Sequence, residues 1–494
     1  MTVPAPAHTD PAIWLDQLAQ HHPDRLFLRT PAGQRLTYGA MTRLVDIVAT
    51  ALARRSVTAG DRVVAQVEKS PEAIALYLAC LRLGAVFVPL NTAYTKAEID
   101  YFIGDADPKV AVGIAHGGVA LAELVRGEPG PLPRAAAGPS DLAALLYTSG
   151  TTGRSKGAML TRTNLASNAI ALAQAWQFTE NDVLLHALPI FHVHGLFVAI
   201  NTVLASGSSM LFLPKFDADE VVRLLPEATV MMGVPTFYTR LLQHPALTRD
   251  AVASIRLFVS GSAPLLAETH REFRARTGHA ILERYGMSET LMNTSNPYEG
   301  ERVPGSVGPA LPGVEVRIAD PQSGTQLPQA DAVGVIEVRG PNVFRGYWRM
   351  PEKTAAEFRD DGFFSTGDVG RRDARGYVFI VGRAKDLIIS GGYNVYPVEV
   401  ETELDALAGV AESAVIGVPH PDFGEGVTAV VVTRAGAELD ESALRTALEQ
   451  RLAKYKLPKR IVFASELPRN AMGKVQKAEL RNRYSDLYRC QAEA

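Results

Sequence analysis

Eleven consecutive residues, YTSGTTGRSKG from Tyr147 to Gly157, constrain this chain more than any other segment. An apolar run, Leu142 to Leu146, leads straight into them. Glycines, threonines, serines, one arginine and one lysine follow it in close order. A strand that empties into such a loop brings backbone N–H groups, hydroxyls and cationic ends to one point, which suits a polyphosphate. Glycine lets the backbone approach closely. The Walker pattern does not fit, because Lys156 follows Ser155 and precedes Gly157. No strand-borne dinucleotide fingerprint is present. Gly153-Arg154-Ser155-Lys156-Gly157 does fit the hydrolase elbow G-x-S-x-G. That elbow puts its serine at a strand's end, whereas Thr148 to Gly153 are loop-formers that separate Tyr147 from Arg154. A flexible surface loop is the bland alternative.

The rest of the chain reads as a large α/β protein. At 494 residues more than one domain is expected. A hydrophobic share of 47% and a charged share of 21% are those of a soluble globular chain. A net charge of −3 offers no electrostatic reason to expect nucleic acid or an anionic membrane. Two cysteines, Cys80 and Cys490, suit a reducing, cytoplasmic compartment and no disulfide or zinc framework. No signal peptide and no membrane span is read. Expected strands are Val63–Val67, Val110–Val112, Ala143–Tyr147, Met210–Phe212, Thr229–Met232, Ile255–Val259 and Val335–Val338. The clearest helix runs from Pro71 to Leu83, capped by Ser70 and ended by Gly84, with Ala73, Ile74, Tyr77, Leu78 and Leu81 on its buried face. Such alternation argues for largely parallel sheets. Residues 127–140 read as a proline- and glycine-rich connector. After about residue 383 the elements become shorter and more polar, with strands at Ala414–Val418, Thr428–Val432 and Arg460–Phe463 and a helix from Asp440 through Leu452. The fold class expected is α/β: a large N-terminal domain, 1–383, with distorted parallel-rich sheets, and a small mobile C-terminal α+β domain, 384–494.

Four further segments carry chemistry: ERYGMSET (Glu283 to Thr290), STGD (Ser365 to Asp368), GRAKDLIISGGYNVYPVEVE (Gly382 to Glu401) and PRNAMGKVQK (Pro468 to Lys477). An aspartate leaving a turn can accept hydrogen bonds from a ribose diol. Taken singly, Lys474 reads as a solvated surface lysine, Asp368 as a turn residue and Glu289 as a helix-start acid. With the loop, in this order and spacing, the five segments resemble the acyl-adenylate-forming superfamily, in its acyl-CoA synthetase branch. The resemblance covers nearly the whole chain.

That resemblance implies two half-reactions. A carboxylate attacks the α-phosphorus of ATP to give an acyl-AMP and pyrophosphate, and the thiol of coenzyme A then takes the acyl group. Anion meets anion, and each unit pair at 4 Å repels by roughly 4 kcal/mol at an effective dielectric near 20. The resemblance therefore implies Mg²⁺, held through Thr148 and Glu289, and Lys474 as the cation on the forming acyl phosphate. It implies that Ser149, Gly150, Thr151, Thr152 and Lys156 cradle the β- and γ-phosphates. Asp368 would take the ribose with Arg383 nearby, and Tyr285 would lie against adenine. Gly261, Ser262 and Ala263, with Gly286, Met287 and Ser288, would line the nucleotide. Lys385 sits at the hinge position, and Gly391, Gly392 and Tyr393 would form part of the pantetheine tunnel once the small domain has rotated. Lys474 is also the position at which a lysine acetyltransferase acts in some relatives. Lys454 and Lys456 read more simply as a solvated basic face than as contacts to the phosphates of coenzyme A.

Arg284 is the informative departure. Many relatives that take apolar acids carry a small residue there. An arginine aimed into the acyl pocket needs an anion, and a second carboxylate fits it bidentately. With PIFHVHGLFV (Pro189 to Val198) and NPYEGERVPGSVGPALPGV (Asn296 to Val314), the chain is similar to malonyl-CoA synthetases. Ser260, Met287 and His192 would leave little room beyond a three-carbon diacid, with His192 at the family's gating aromatic position. The structural alternative for Arg284 is a salt bridge with Glu283 or another acid. Methylmalonate, succinate or oxalate remain open as substrates, as does a stand-alone amino-acid adenylation enzyme. A zinc site at His192 and His194 has no third ligand in view.

Overall fold

The computed structural model describes residues 10–113, 118–132, 137–148, 155–391, 393–470 and 473–488. Parallel strands buried on both faces are written as short apolar runs joined by helical crossovers. Here they build a five-stranded sheet in the order Val110–Val112, Arg62–Ala65, Val86–Pro89, Leu142–Thr148, Lys156–Thr161. Only the last pair is antiparallel. An eight-stranded sheet runs Leu291–Ser295, Leu282–Met287, Leu257–Ser260, Val230–Gly233, Val183–His186, Ser209–Phe212, Leu26–Arg29, Arg35–Thr37. It is parallel through its middle and antiparallel at both edges. A four-stranded antiparallel sheet, Glu315–Ala319, Gly334–Arg339, Phe364–Arg372 and Val378–Arg383, completes the large lobe.

The helix Pro71–Leu83 forms as its signals predict. The Ser70 hydroxyl accepts from the Ala73 N–H at 3.2 Å, and Gly84 ends the helix at φ +73°. Its burial goes further than one face, because Ala75, Leu76, Ala79 and Cys80 are buried as well. A helix apolar all round lies inside a core, and this one packs between the helices Pro11–His21 and Tyr38–Ala53 and the sheets.

More strands form than the sequence reading expects, among them Leu26–Arg29, Arg35–Thr37, Leu282–Met287, Leu291–Ser295, Glu315–Ala319, Phe364–Arg372 and Val378–Arg383. Val86–Pro89 and Val183–His186 were not anticipated, and Lys156–Thr161 resumes strand structure where the sequence reads as loop. Thr148 and Lys156 are partners in that antiparallel pair, so the hydroxyl-rich segment is the tip of a hairpin. The hydrolase elbow fails on the same ground: Ser155 leads into a strand, not a helix, and its carbonyl accepts from the Tyr101 hydroxyl at 2.7 Å.

The smaller C-terminal domain has its own core of Ile388, Val400, Leu404, Val415, Val427, Val431, Leu444 and Leu448 among others. Its sheet orders Tyr393–Val395, Ile388–Ser390, Gly424–Thr433 and Val410–His420, with Arg460–Phe463 parallel to Gly424–Thr433. The helix begun at Asp440 stops at Glu449, short of Leu452. Among the described residues no ion pair joins a residue before Ala384 to one after it.

Candidate active site

Three sets of side chains gather where the small lobe faces the strand ends of the large one. The first is built on a register. Asp368 and Arg383 are partners across the antiparallel strands Phe364–Arg372 and Val378–Arg383. Arg383 Nε stands 2.8 Å from Asp368 Oδ1, and the Tyr285 hydroxyl donates to Asp368 Oδ2 at 2.5 Å. Burial and then the Asp368 charge hold Tyr285 in its protonated, donating form. The aspartate that the STGD motif singles out is thus fixed on both oxygens, each with a lone pair left to accept from a ligand. Gly261, Ser262 and Ala263 turn out of the strand Leu257–Ser260, Ser262 at φ +70°.

The second set stands at the hairpin tip. ERYGMSET is itself a hairpin: Leu282–Met287 pairs with Leu291–Ser295. Glu289 therefore lies in a turn, not at a helix start. Gly286 permits that turn, since a Cβ there would meet the Leu291 carbonyl oxygen at 1.9 Å. Met287 and Ser288 are half-buried beside it. The Thr148 hydroxyl lies 3.4 Å from Glu289 Oε1, and Tyr347 OH is 3.1 Å from the same oxygen. The sequence reading missed Tyr347 and Glu357, which lie outside its motifs. Tyr347 OH is 2.8 Å from Glu357, and Lys156 Nζ is 3.5 Å from that carboxylate and 4.4 Å from the Tyr347 ring centre. Lys156 is therefore a buried strand residue anchored by an acid, not a loop residue. Ser149, Gly150, Thr151 and Thr152 lie outside the described residues.

A hydroxyl and a buried carboxylate in contact are hard oxygen donors of the kind Mg²⁺ takes when substrate phosphates supply the rest of its shell. Among the described residues no group of three or more His, Cys, Asp or Glu side chains is placed to hold a metal ion.

The third set is a cluster of buried bases. Along a strand successive side chains alternate faces, and Glu283 and Arg284 part accordingly. A Glu283 oxygen accepts from the Gly305 N–H at 3.3 Å, and no salt bridge joins the two. Arg284 is 3% exposed, and its Nε and one terminal nitrogen have no hydrogen-bond partner. It lies flat on Gly261, where a Cβ would stand 2.4 Å from its guanidinium carbon. Burial pushes its pKa down to about 9, so it remains charged at neutral pH. Beside it, Ser260 Oγ and His194 Nε2 are buried and also without partners. The His194 N–H donates to His192 Nδ1 at 3.3 Å, and His194 Nδ1 is 3.2 Å from Ser262 Oγ. Burial, and then Arg284, lower His192 to about 4 and hold His194 well below its ordinary range, so both are neutral. The pocket's charge is the guanidinium. The sequence reading weighed His194 only as a zinc ligand; its role in the pocket depends on a π-helical turn, His194–Ile200, that no motif announces.

Glu283 supplies a stability test. Burial raises its pKa to about 8, against about 4.3 for a free glutamate. Between those values the folded chain binds more protons than the unfolded one, so this group's contribution falls as pH rises through that window. Glu283→Gln should therefore gain in melting temperature, relative to the unsubstituted chain, between about pH 5 and about pH 8. A difference that does not vary with pH would mean Glu283 ionises normally.

The small lobe brings Lys474 on a tight turn. Asn470 Oδ1 accepts from the Lys474 N–H at 3.0 Å, and Arg469, paired with Glu412, donates to the Gly473 carbonyl at 2.5 Å. Gly473 is at φ +74°, and a Cβ on it would lie 3.1 Å from Thr236 of the large lobe. The turn thus docks in contact with that lobe. Desolvation, and then the Arg383 charge, lower Lys474 to about 8. Lys385 is lowered by burial in the same neighbourhood. Gly391, at φ +58°, packs under Phe423; Tyr393 is 59% exposed and stacks on Tyr455 with centroids 4.9 Å apart. Gly392 lies outside the described residues. In this arrangement Lys474 lies within electrostatic reach of Arg383 and Asp368, and Tyr393 is open to solvent. Lys456 is taken by Glu399 at 2.6 Å, as a surface basic residue would be.

The two lobes and the cleft between them define an enzyme of the adenylate-forming fold. Residues 15–348 match the AMP-binding enzyme family, and residues 399–474 match the AMP-binding enzyme C-terminal domain. The chain belongs to the AMP-binding enzyme family. It is 41% identical over 372 residues to a malonate–CoA ligase of Arabidopsis thaliana (69% of this chain, 60% of that protein). It is 40% identical over 451 residues to a mitochondrial malonate–CoA ligase of Mus musculus (80% and 77%). The chain spans about three fifths of the length of the two plant relatives it matches. Among solved structures, ATP-bound MatB from Rhodopseudomonas palustris superposes with a TM-score of 0.93 at 56% identity, over 97% of this chain and 99% of that one. Apo MatB, at the same identity and coverage, superposes at 0.82. The chain thus lies nearer the nucleotide-bound arrangement of its neighbour. No helix among the described residues is long and apolar enough to cross a membrane.

Proposed function

We propose that the chain forms malonyl-CoA from malonate, ATP and coenzyme A, through malonyl-AMP, with release of pyrophosphate and then AMP. The chain is an AMP-forming acid–CoA ligase, and relatives named malonate–CoA ligases support the acid. The observation that carries the choice is the buried guanidinium of Arg284, whose Nε and one terminal nitrogen are bare and which meets no carboxylate among the described residues. A charge buried without a counter-ion is costly. A dicarboxylate supplies that counter-ion at one end and keeps its other carboxylate free to react.

In the first half-reaction a malonate oxygen bonds to the α-phosphorus of ATP and the bond to pyrophosphate breaks. Arg284, with Ser260 and the neutral His192, holds the distal carboxylate. His192 accepts from the His194 N–H at Nδ1, so its proton sits on Nε2, free to donate to the acid. Asp368 takes the ribose while Tyr285 and Arg383 hold it in place, and Tyr285 packs beside adenine with Gly261, Ser262, Ala263, Gly286, Met287 and Ser288. Lys474 stabilises the negative charge that develops between acid and phosphate. Bound Mg²⁺ supplies further positive charge for the phosphates, and Thr148 and Glu289 would hold it. Ser149, Gly150, Thr151, Thr152 and Lys156 serve the β- and γ-phosphates.

In the second half-reaction the thiol sulfur of coenzyme A bonds to the acyl carbon and AMP leaves. Residues 384–494 act as a lid that turns about Lys385, withdrawing Lys474 and bringing Gly391, Gly392 and Tyr393 to the thiol's path. The lack of ion pairs between the lobes among the described residues fits such a rotation. A panel of malonate, methylmalonate, succinate, oxalate, monocarboxylates and amino acids with ATP and coenzyme A, read by AMP release, tests the reading. Malonate should be preferred. Amino-acid-dependent pyrophosphate exchange without diacid turnover would replace it with an amino-acid adenylation enzyme.

A further inference from the structure

Five basic side chains lie in sequence from the acid pocket inward: Arg284, His192, His194, His186 and Lys69. His186 and Lys69 belong to no motif of the reaction. Lys69 Nζ is 2.9 Å from His186 Nδ1 and 2.9 Å from the His186 carbonyl oxygen, and it stands 4.4 Å from the centre of the Phe212 ring. No carboxylate pairs with Lys69 among the described residues. His186, 1% exposed, has its Nε2 2.8 Å from the carbonyl oxygen of Gly195.

These contacts have one consistent direction. Burial pushes the Lys69 pKa well down, but the Gly195 carbonyl can only accept, so the neutral His186 ring donates through Nε2 and its Nδ1 accepts a hydrogen bond from Lys69 Nζ. Burial keeps the ring neutral. Gly195 lies in the π-helical turn His194–Ile200, one residue after His194. It sits so tightly that a Cβ would be 2.0 Å from the Pro189 carbonyl oxygen. The peptide whose oxygen His186 holds therefore follows directly on the residue whose N–H sets the His192 tautomer and whose ring reaches Ser262.

We propose that Lys69 and His186 are positioning residues for the acid pocket: Lys69 fixes the tautomer of His186, His186 pins the Gly195 carbonyl, and the pinned turn presents His192 and His194 to the distal carboxylate beside Arg284. The pair touches no substrate. Its effect is to sharpen the choice of a diacid over a monoacid, and it rests on the malonate reading above.

Lys69→Met removes the donor but keeps the length of the stem. The expected result is a malonate KM raised about ten-fold, the scale of a loosened supporting contact. The kcat and the KM for ATP should stay within about two-fold, and kcat/KM for propionate should change little, so the malonate-to-propionate ratio falls. Lys69→Arg, which can still donate to a ring nitrogen and a carbonyl, should recover most of the ratio. Arg284→Ala runs alongside. If Arg284→Ala collapses the ratio and Lys69→Met leaves it unchanged, the positioning role is overturned and the malonate reading stands. If neither changes it, the pocket reading itself fails. Equal losses for malonate, propionate and ATP in Lys69→Met, with no recovery in Lys69→Arg, assign Lys69 to general stability and overturn the proposal.

Discussion

Lys474→Ala is expected to lower malonate-dependent pyrophosphate exchange by about 10²–10³-fold, the usual loss on removing one preorganised charge from a transition state. Formation of malonyl-CoA from supplied malonyl-AMP should stay within about three-fold of the unsubstituted enzyme. The asymmetry follows from where the residue sits. Its turn is clamped by Arg469 and Asn470 and seated against Thr236, which leaves the ammonium within electrostatic reach of Arg383 and Asp368, the groups proposed above to meet the nucleotide. Nothing in that placement serves a thiol. The pH dependence should agree. With its pKa lowered to about 8, Lys474 is charged below that value and loses its proton above it. The kcat/KM for adenylation, which reports the free enzyme, should therefore decline as pH rises past about 8, and in Lys474→Ala the decline should be missing until Arg284 begins to lose its proton at about 9. Equal loss of both half-reactions would show that one lobe arrangement serves both steps.

Arg284→Ala is expected to cost malonate about 2–4 kcal/mol in kcat/KM, the scale of truncating one partner of a buried charge pair. Propionate and acetate should lose far less, because neither presents a second carboxylate. The guanidinium is buried, its Nε and one terminal nitrogen are bare, and Glu283 is turned to the opposite face of the strand. Among the described residues it has no protein anion to lose, so the substrate should feel its removal. Equal losses for malonate and propionate would instead assign Arg284 to the fold or the nucleotide. The neutral histidines add a corollary. With His192 near 4, the malonate kcat/KM should show no break between about pH 5 and about pH 7 from the pocket.

Much of this was legible in the chain itself. The Ser70–Gly84 helix carries its caps within a few residues of the bonds they make, so a local reading finds it. Apolar runs mark several of the parallel strands because burial on both faces leaves no polar alternation to hide them, although the equally apolar Val86–Pro89 and Val183–His186 went unread. Where the reading slipped, local signals pointed the wrong way. Lys156 and Gly157 read as loop because lysine and glycine are poor strand formers, yet pairing with Thr148 and Tyr147 overrides that preference. Glu289 reads as the start of a helix, yet the close approach at Gly286 folds the segment back as a hairpin.

Order and spacing of short motifs, together with one unexpected arginine, are properties of the chain, and they carry the family and point to the acid. Contacts between distant residues are not. Thr148 meets a carboxylate 141 residues away, and Tyr285 meets Asp368 across 83. Which face Arg284 takes depends on the register of two strands, and one residue of slip would exchange it with Glu283. The histidine turn, its support from Lys69 and the docking of Lys474 on Thr236 likewise arise only when separate elements pack. Short-range preference is written residue by residue; the pairing of remote charges is decided by how buried surfaces fit together.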